Sequence, residues 1–194
     1  MEAVLLILFA YLSGSIPVGY LLGRRSGVDV RQAGSGNIGA TNVARVAGRT
    51  QGAFTLLGDA AKGLIPVVLS SYLGFSLEVS VLAGAAALLG HLFPLFLRFQ
   101  GGKGVATALG VLIWLAPAGT LVLAGIFLAT ALSKRVVSLS SLIAAGAAPI
   151  VLWSLAYRPP VVALSVFFAI MIALRHRDNI RRLLAGVEPK FGSR

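Results

Sequence analysis

Between Gly34 and Arg45 the chain reads G-S-G-N-I-G-A-T-N-V-A-R, and those residue types suit one kind of chemistry. Glycines let successive backbone N–H groups turn inward as an anion-binding nest. Ser35, Asn37, Thr41 and Asn42 add side-chain donors, and Arg45 adds a planar fork that matches phosphate geometry. The stretch reads as a phosphate cradle. Two other readings compete. Gly34 to Gly39 satisfies G-x-G-x-x-G, but a dinucleotide fingerprint needs a buried strand before it and a helix after it within a βαβ unit. Here it follows Arg24, Arg25, Asp29 and Arg31. The other competitor is a glycine-rich connector with no ligand.

A second polar cluster runs from His91 and Pro94 to Gly101-Gly102-Lys103-Gly104. Proline ends or kinks the helix, and the glycines free a turn that opens the next one with Lys103 as a point charge beside it. The alternative is a lysine snorkelling at an interface, and His91 taken alone reads as a hydrogen-bonded packing residue. The third cluster is Arg175 to Arg182. On a helix continuing from the last apolar span, His176 and Asn179 share a face, as do Asp178 and Arg182. A plain stop-transfer tail explains the arginines but explains His176 and Asn179 less well. Asp59 and Lys62, three residues apart, can neutralise each other on one helix face, and read more readily as a structural ion pair than as a catalytic dyad.

Several catalytic engines are missing. There is no cysteine, no H-E-x-x-H, no Walker P-loop and no G-x-S-x-G, and neither histidine has an aspartate five positions later. No metal, no cofactor and no acyl-enzyme are expected.

The elements that must hold these clusters are membrane helices. Of 194 residues, 57% are hydrophobic and 12% charged, and mean hydropathy is +0.90. Charge that sparse does not cover a soluble surface. Apolar spans are expected at Ala3 to Gly23, Gly52 to Gly74, Val79 to Phe96, Val105 to Ala116, Gly119 to Leu132, Val136 to Tyr157 and Pro160 to Leu174. As one helix, Val105 to Leu132 would be ~42 Å against a hydrocarbon core of ~30 Å, so a reversal is expected at Pro117-Ala118-Gly119. The expectation is an all-α polytopic bundle of seven transmembrane helices forming a single domain over residues 1–194. The first span follows an acid and no basic residue, so it should be retained rather than cleaved as a signal peptide.

Seven spans put 15 of the 17 basic residues on one side, leaving Arg158 opposite and Lys62 within a span. The positive-inside rule then places the C-terminus in the cytosol, the N-terminus outside and all three clusters on the cytosolic face. The net charge of +11 faces anionic lipid headgroups rather than nucleic acid, because no aromatic-rich basic face exists to stack bases.

Together the clusters resemble the motifs of the PlsY family, the bacterial integral-membrane glycerol-3-phosphate acyltransferases. The matching residues are S-G-S-I-P-x-G-Y at Ser13 to Tyr20, G-S-G-N-I-G-A-T-N-x-x-R at Gly34 to Arg45, G-H-x-x-P at Gly90 to Pro94 with G-G-K-G-V-A-T at Gly101 to Thr107, and H-x-x-N-I-x-R-L-x-x-G-x-E-x-K at His176 to Lys190. The resemblance implies an inner-membrane enzyme that acylates glycerol 3-phosphate from acyl phosphate at the cytosolic face, releasing lysophosphatidic acid and phosphate. It also implies that Ser35, Asn37, Thr41, Asn42 and Arg45 hold phosphate, that Lys103 with Gly101, Gly102 and His91 completes the pocket, and that His176 and Asn179 close it, with Ser35, His176 and Asn179 serving the reaction. The hydroxyl proton goes either to His176 or to a substrate phosphate oxygen, and the missing paired carboxylate favours the substrate. A transporter of a phosphorylated solute is the competing class, since broken helices and intramembrane charges also suit transport.

Overall fold

The structure, a computed structural model, describes residues 1–191, and every regular element among them is helical. Arg194, counted above in the basic tail, lies outside the described residues. The chain divides into two compact units, the first Met1–Trp114 and the second from Leu115 onward.

In the first unit, α1 (Glu2–Ser15) and α2 (Val18–Arg25) are parted at Ile16-Pro17. The proline ring pushes the residue before it out of the helical region, and Ile16 is extended at φ −62°, ψ 116°. A connector with one short helix, α3 (Ala40–Val46), leads to the long α4 (Arg49–Tyr72) and then α5 (Leu77–Leu92). A 3-10 turn at Leu95–Leu97 precedes α6 (Val105–Leu115). Packing depends on small residues, as expected where lipid removes the hydrophobic drive between helices. A Cβ on Gly14 of α1 would strike the Ala87 carbonyl of α5, and one on Gly90 of α5 would strike the Tyr11 carbonyl of α1. Gly63 of α4 meets Thr107 of α6 in the same way, and Gly110 of α6 meets Ala60 of α4.

The second unit holds α7 (Pro117–Lys134), α8 (Val137–Ser154), α9 (Pro159–Arg175) and α10 (Arg177–Leu184). Pro117 and Pro159 each open a helix, where the missing N–H costs nothing and φ is already set.

Each expected apolar stretch is helical, though the first is parted into α1 and α2 at Ile16-Pro17, and the stretches are unequal in length. Five are long and apolar enough to cross a membrane, counting Glu2–Arg25 as one, and a sixth qualifies if α9 and α10 are joined across the 66° bend between them. α6 does not qualify, since its 11 residues rise ~16 Å, about half the hydrocarbon core. Two sequence expectations are corrected. The break between α6 and α7 is at Ala116 alone, and Pro117 to Gly119 already belong to α7. The basic cluster does not continue the last span, because the helix turns sharply at His176.

Candidate functional site

The connector from Val28 to Arg45 is built inward from one amide. Asn42 is 2% exposed. Its Nδ2 donates to the carbonyls of Val30, Ala33 and Asn37 at 3.0, 3.1 and 2.9 Å, and its Oδ1 accepts the Ser35 N–H at 2.8 Å. Every polar atom of the side chain is therefore spent on the loop, and the expected role of Asn42 as a phosphate donor is corrected to that of the loop's internal brace. Asn37 likewise turns its Oδ1 back onto the Gly39 N–H at 2.8 Å. Gly34 and Gly36 take φ of +61° and +70°, the left-handed region open to glycine, and a Cβ on Gly34 would strike Asn42 Oδ1. Beneath the loop, Val30, Ile38, Val43 and Leu97 form a buried apolar cluster with Tyr20, Val28, Val46 and Ala47 against it.

Ser35, Thr41 and Arg45 are exposed in this connector, as are Arg31 and Gln32. The Arg45 guanidinium engages no carboxylate among the described residues. The acid in this region is already committed. Asp29 accepts from Arg31 Nε and Nη2 at 3.1 and 2.8 Å, and that hydrogen bonding holds its carboxyl down at about 2. The Arg31 guanidinium in turn stacks 4.4 Å from the Tyr20 ring centroid.

The second cluster is joined to residues the sequence left apart. The Gly102 N–H donates to the His91 carbonyl at 3.1 Å. A Cβ on Gly101 would strike that carbonyl, and one on Gly102 would strike His91 Nε2, so the turn before Lys103 lies directly on the histidine. The other ring nitrogen, Nδ1, is 3.6 Å from Asp59 Oδ1 of α4. Asp59 pairs with Lys62 at 2.9 Å, both almost wholly buried, as their spacing predicts. Lys62 Nζ also donates to the Ile16 carbonyl at the α1–α2 break, at 2.9 Å. Leu97, from the 3-10 turn between His91 and Lys103, belongs to the apolar cluster under the Asn42 loop. The two candidate anion sites of this unit thus share one scaffold.

In the second unit, His176 and Asn179 are 2% and 6% exposed. His176 Nδ1 donates to the Ile172 carbonyl at 2.8 Å, which fixes the proton on that nitrogen because a carbonyl only accepts. Asn179 Nδ2 donates to Glu188 Oε1 at 2.5 Å. Glu188 also accepts from Ser138 Oγ of α8 at 2.6 Å and from Arg182 Nε at 2.6 Å. Burial alone would raise this carboxyl, yet the bonds from Ser138, Asn179 and Arg182 outweigh it and hold the group below its ordinary value. The expected Asp178–Arg182 pair is corrected: Asp178 faces Arg181 at 3.7 Å on an exposed surface, and Arg182 belongs to Glu188.

Sequence reasoning assigned no role to Glu188 or Ser138 and did not connect Asp59 to His91. A signal was present in the scarcity of acids, of which the chain has six. Four of them sit in ion pairs with basic side chains, so each acid of so basic a chain is worth placing.

A family model described as Glycerol-3-phosphate acyltransferase matches residues 4–186. The glycerol-3-phosphate acyltransferase of Geobacter metallireducens is 53% identical, with 97% of each chain covered, and that of Geobacter sulfurreducens is 47% identical, with 98% of each covered. A crystal structure of PlsY, an integral membrane glycerol 3-phosphate acyltransferase, in its glycerol 3-phosphate form, is 41% identical with a TM-score of 0.95, covering 99% of this chain and 96% of that one. The same protein in its lysophosphatidic acid form superposes with a TM-score of 0.93, at 41% identity and the same coverage. With matches over nearly its whole length and the same arrangement of helices, the chain belongs to the glycerol-3-phosphate acyltransferase family of integral membrane enzymes.

Proposed function

We propose that this enzyme transfers a fatty acyl group from acyl phosphate to sn-glycerol 3-phosphate, giving 1-acyl-glycerol-3-phosphate and inorganic phosphate in phospholipid synthesis. The observation that carries the proposal is that Ser35, Thr41 and Arg45 stand exposed on a loop whose brace, Asn42, is buried. These residues offer hydroxyls and a guanidinium that engages no carboxylate among the described residues to a phosphate. Ser35, Asn37, Thr41 and Arg45 hold phosphate, and the Gly101-Gly102-Lys103 turn supplies a second cationic contact. His176 and Asn179 serve the reaction. The family match across both units supports reading residues 1–194 as one acyltransferase domain.

The chemistry asks little of side chains. Acyl phosphate is a mixed anhydride: the glycerol hydroxyl oxygen attacks the acyl carbon, the bond from that carbon to the phosphate oxygen breaks, and phosphate leaves with the electron pair. Fixed positive charge stabilises the developing anion. The hydroxyl proton passes to a substrate phosphate oxygen rather than to His176, whose Nδ1–H is turned to the Ile172 carbonyl.

The enzyme resides in the bacterial inner membrane with seven spans, the N-terminus outside, and the active site and C-terminus on the cytoplasmic face. α6 is then a short span around which the bilayer thins or tilts its neighbours. The test is turnover by purified protein in detergent with acyl phosphate, acyl-CoA or acyl-carrier protein as sole donor. Product from acyl phosphate alone, undiminished in chelator and with no acyl adduct on the protein, is expected. Turnover with acyl-CoA alone rejects the donor, and no turnover at all returns the transporter reading, which needs two compartments.

A further inference from the structure

Asp59 and Lys62 lie in the interior of α4, 3% and 5% exposed, where a charge is retained only if it is partnered or useful. A self-contained i,i+3 pair would need nothing beyond its own helix. This pair instead reaches out at both ends. Lys62 Nζ grips the Ile16 carbonyl where α1 breaks into α2, and Asp59 Oδ1 faces His91 Nδ1 of α5 at 3.6 Å. The far side of the same imidazole carries the turn: Gly102 has no room for a Cβ over Nε2, and its N–H is bonded to the His91 backbone. Glycine at 101 and 102 therefore acts as a mould taken from the histidine.

We propose that Asp59, Lys62 and His91 are positioning residues for the acyltransfer reaction, a buried relay from the α1–α2 break to the Gly101-Gly102-Lys103 turn that fixes where Lys103 stands. His91 acts through Lys103 and does not touch substrate, which replaces its expected role as a binding residue. This rests on the reading of the turn as a phosphate contact. The effect is kinetic because a group misplaced by ~1 Å costs about a hundredfold in rate even when nothing at the reacting atoms has changed.

The experiment is a double-mutant cycle on the full-length enzyme in detergent, measuring kcat and KM for both substrates together with thermal stability. His91→Phe keeps a ring and removes both nitrogens. Asp59→Asn with Lys62→Met removes both charges at once, so that neither is left unpaired, and removes the donor to the Ile16 carbonyl. Each is expected to lower kcat/KM about tenfold to a hundredfold, with little change in thermal midpoint, and to add almost nothing in a Lys103→Ala background. Effects that multiply with Lys103→Ala, or unchanged kinetics in folded protein, overturn the relay. Should His91→Phe fail to fold, Gly102→Ala displaces the same ring from its other side and is judged by the same cycle. If Lys103→Ala is impaired but the effects multiply, the relay alone fails. If Lys103→Ala has wild-type kinetics, the phosphate reading of the turn falls as well.

Discussion

At the scale of single residues, the proposed phosphate loop divides by burial into exposed groups offered to the ligand and a buried brace that holds them. Arg45 is exposed, and losing a charge-assisted phosphate contact costs about 1.5 to 3 kcal/mol. Arg45→Ala and Lys103→Ala should therefore each reduce kcat/KM roughly tenfold to a hundredfold without lowering thermal stability. Arg45→Lys should recover only part, because a fork becomes a point charge. Asn42 should behave differently. Its three donated bonds close the loop over carbonyls that would otherwise be stranded, so Asn42→Ala should lose activity and also lower the thermal midpoint. Asn42→Asp, which places a carboxylate against those carbonyls, should be no better than alanine. An Asn42→Asp enzyme with wild-type stability would show that the bonds to Val30, Ala33 and Asn37 do not hold the loop. The composition of Gly34 to Arg45 made the anion chemistry legible. It could not say which amide faces inward, because that depends on where Val30 and Ala33 return in three dimensions.

At the scale of elements, what could be read was set by local rules. Proline at 117 marked a real break and the i,i+3 spacing of Asp59 and Lys62 predicted their pairing, whereas Pro17 parts α1 from α2 inside a span expected to be continuous. The bend at His176 carries neither proline nor glycine, so nothing local announced it; it is secured from a distance by Glu188, which ties Asn179 and Arg182 of α10 to Ser138 of α8. Glu188→Ala should cost about 1.5 to 3 kcal/mol, the range for hydrogen bonds to a charged group. The same bonds predict a pH dependence. With its folded value held below the ordinary one, Glu188 contributes stability that is complete above the unfolded-state value of about 4.3 and is lost as pH falls through the lowered folded value. Thermal midpoints of wild type should therefore decline more steeply than those of Glu188→Gln as pH is lowered below about 4.3. Parallel curves would remove the carboxylate from the account of the bend.

For the whole molecule, the decisive quantity is where the charge lies along a chain that is 57% hydrophobic. Length alone leaves α6 short of a span and the joined α9–α10 pair conditional, so counting long helices gives five or six, and an even count would put both termini on one side. The charge distribution favours an odd count. If α6 crosses, the connectors bearing Arg24 to Arg49, Arg98 with Lys103, Lys134 with Arg135, and Arg175 onward share one face, and only Arg158 lies opposite. If α6 does not cross, the cationic connectors after it change sides and the asymmetry collapses. The positive-inside rule tolerates the first arrangement and not the second. Backbone-close packing of α6 on α4 through Gly63 and Gly110 shows how a helix of this length is stabilised by protein rather than by lipid. Reporters active only in the cytosol, fused to each terminus in turn, should be silent at the N-terminus and active at the C-terminus, and a reporter inserted between Ala116 and Pro117 should be silent. Activity of that inserted reporter, with the C-terminal fusion silent, would leave α6 within one leaflet and place the Arg175 to Lys190 cluster on the face opposite the phosphate loop, where it could not serve the reaction.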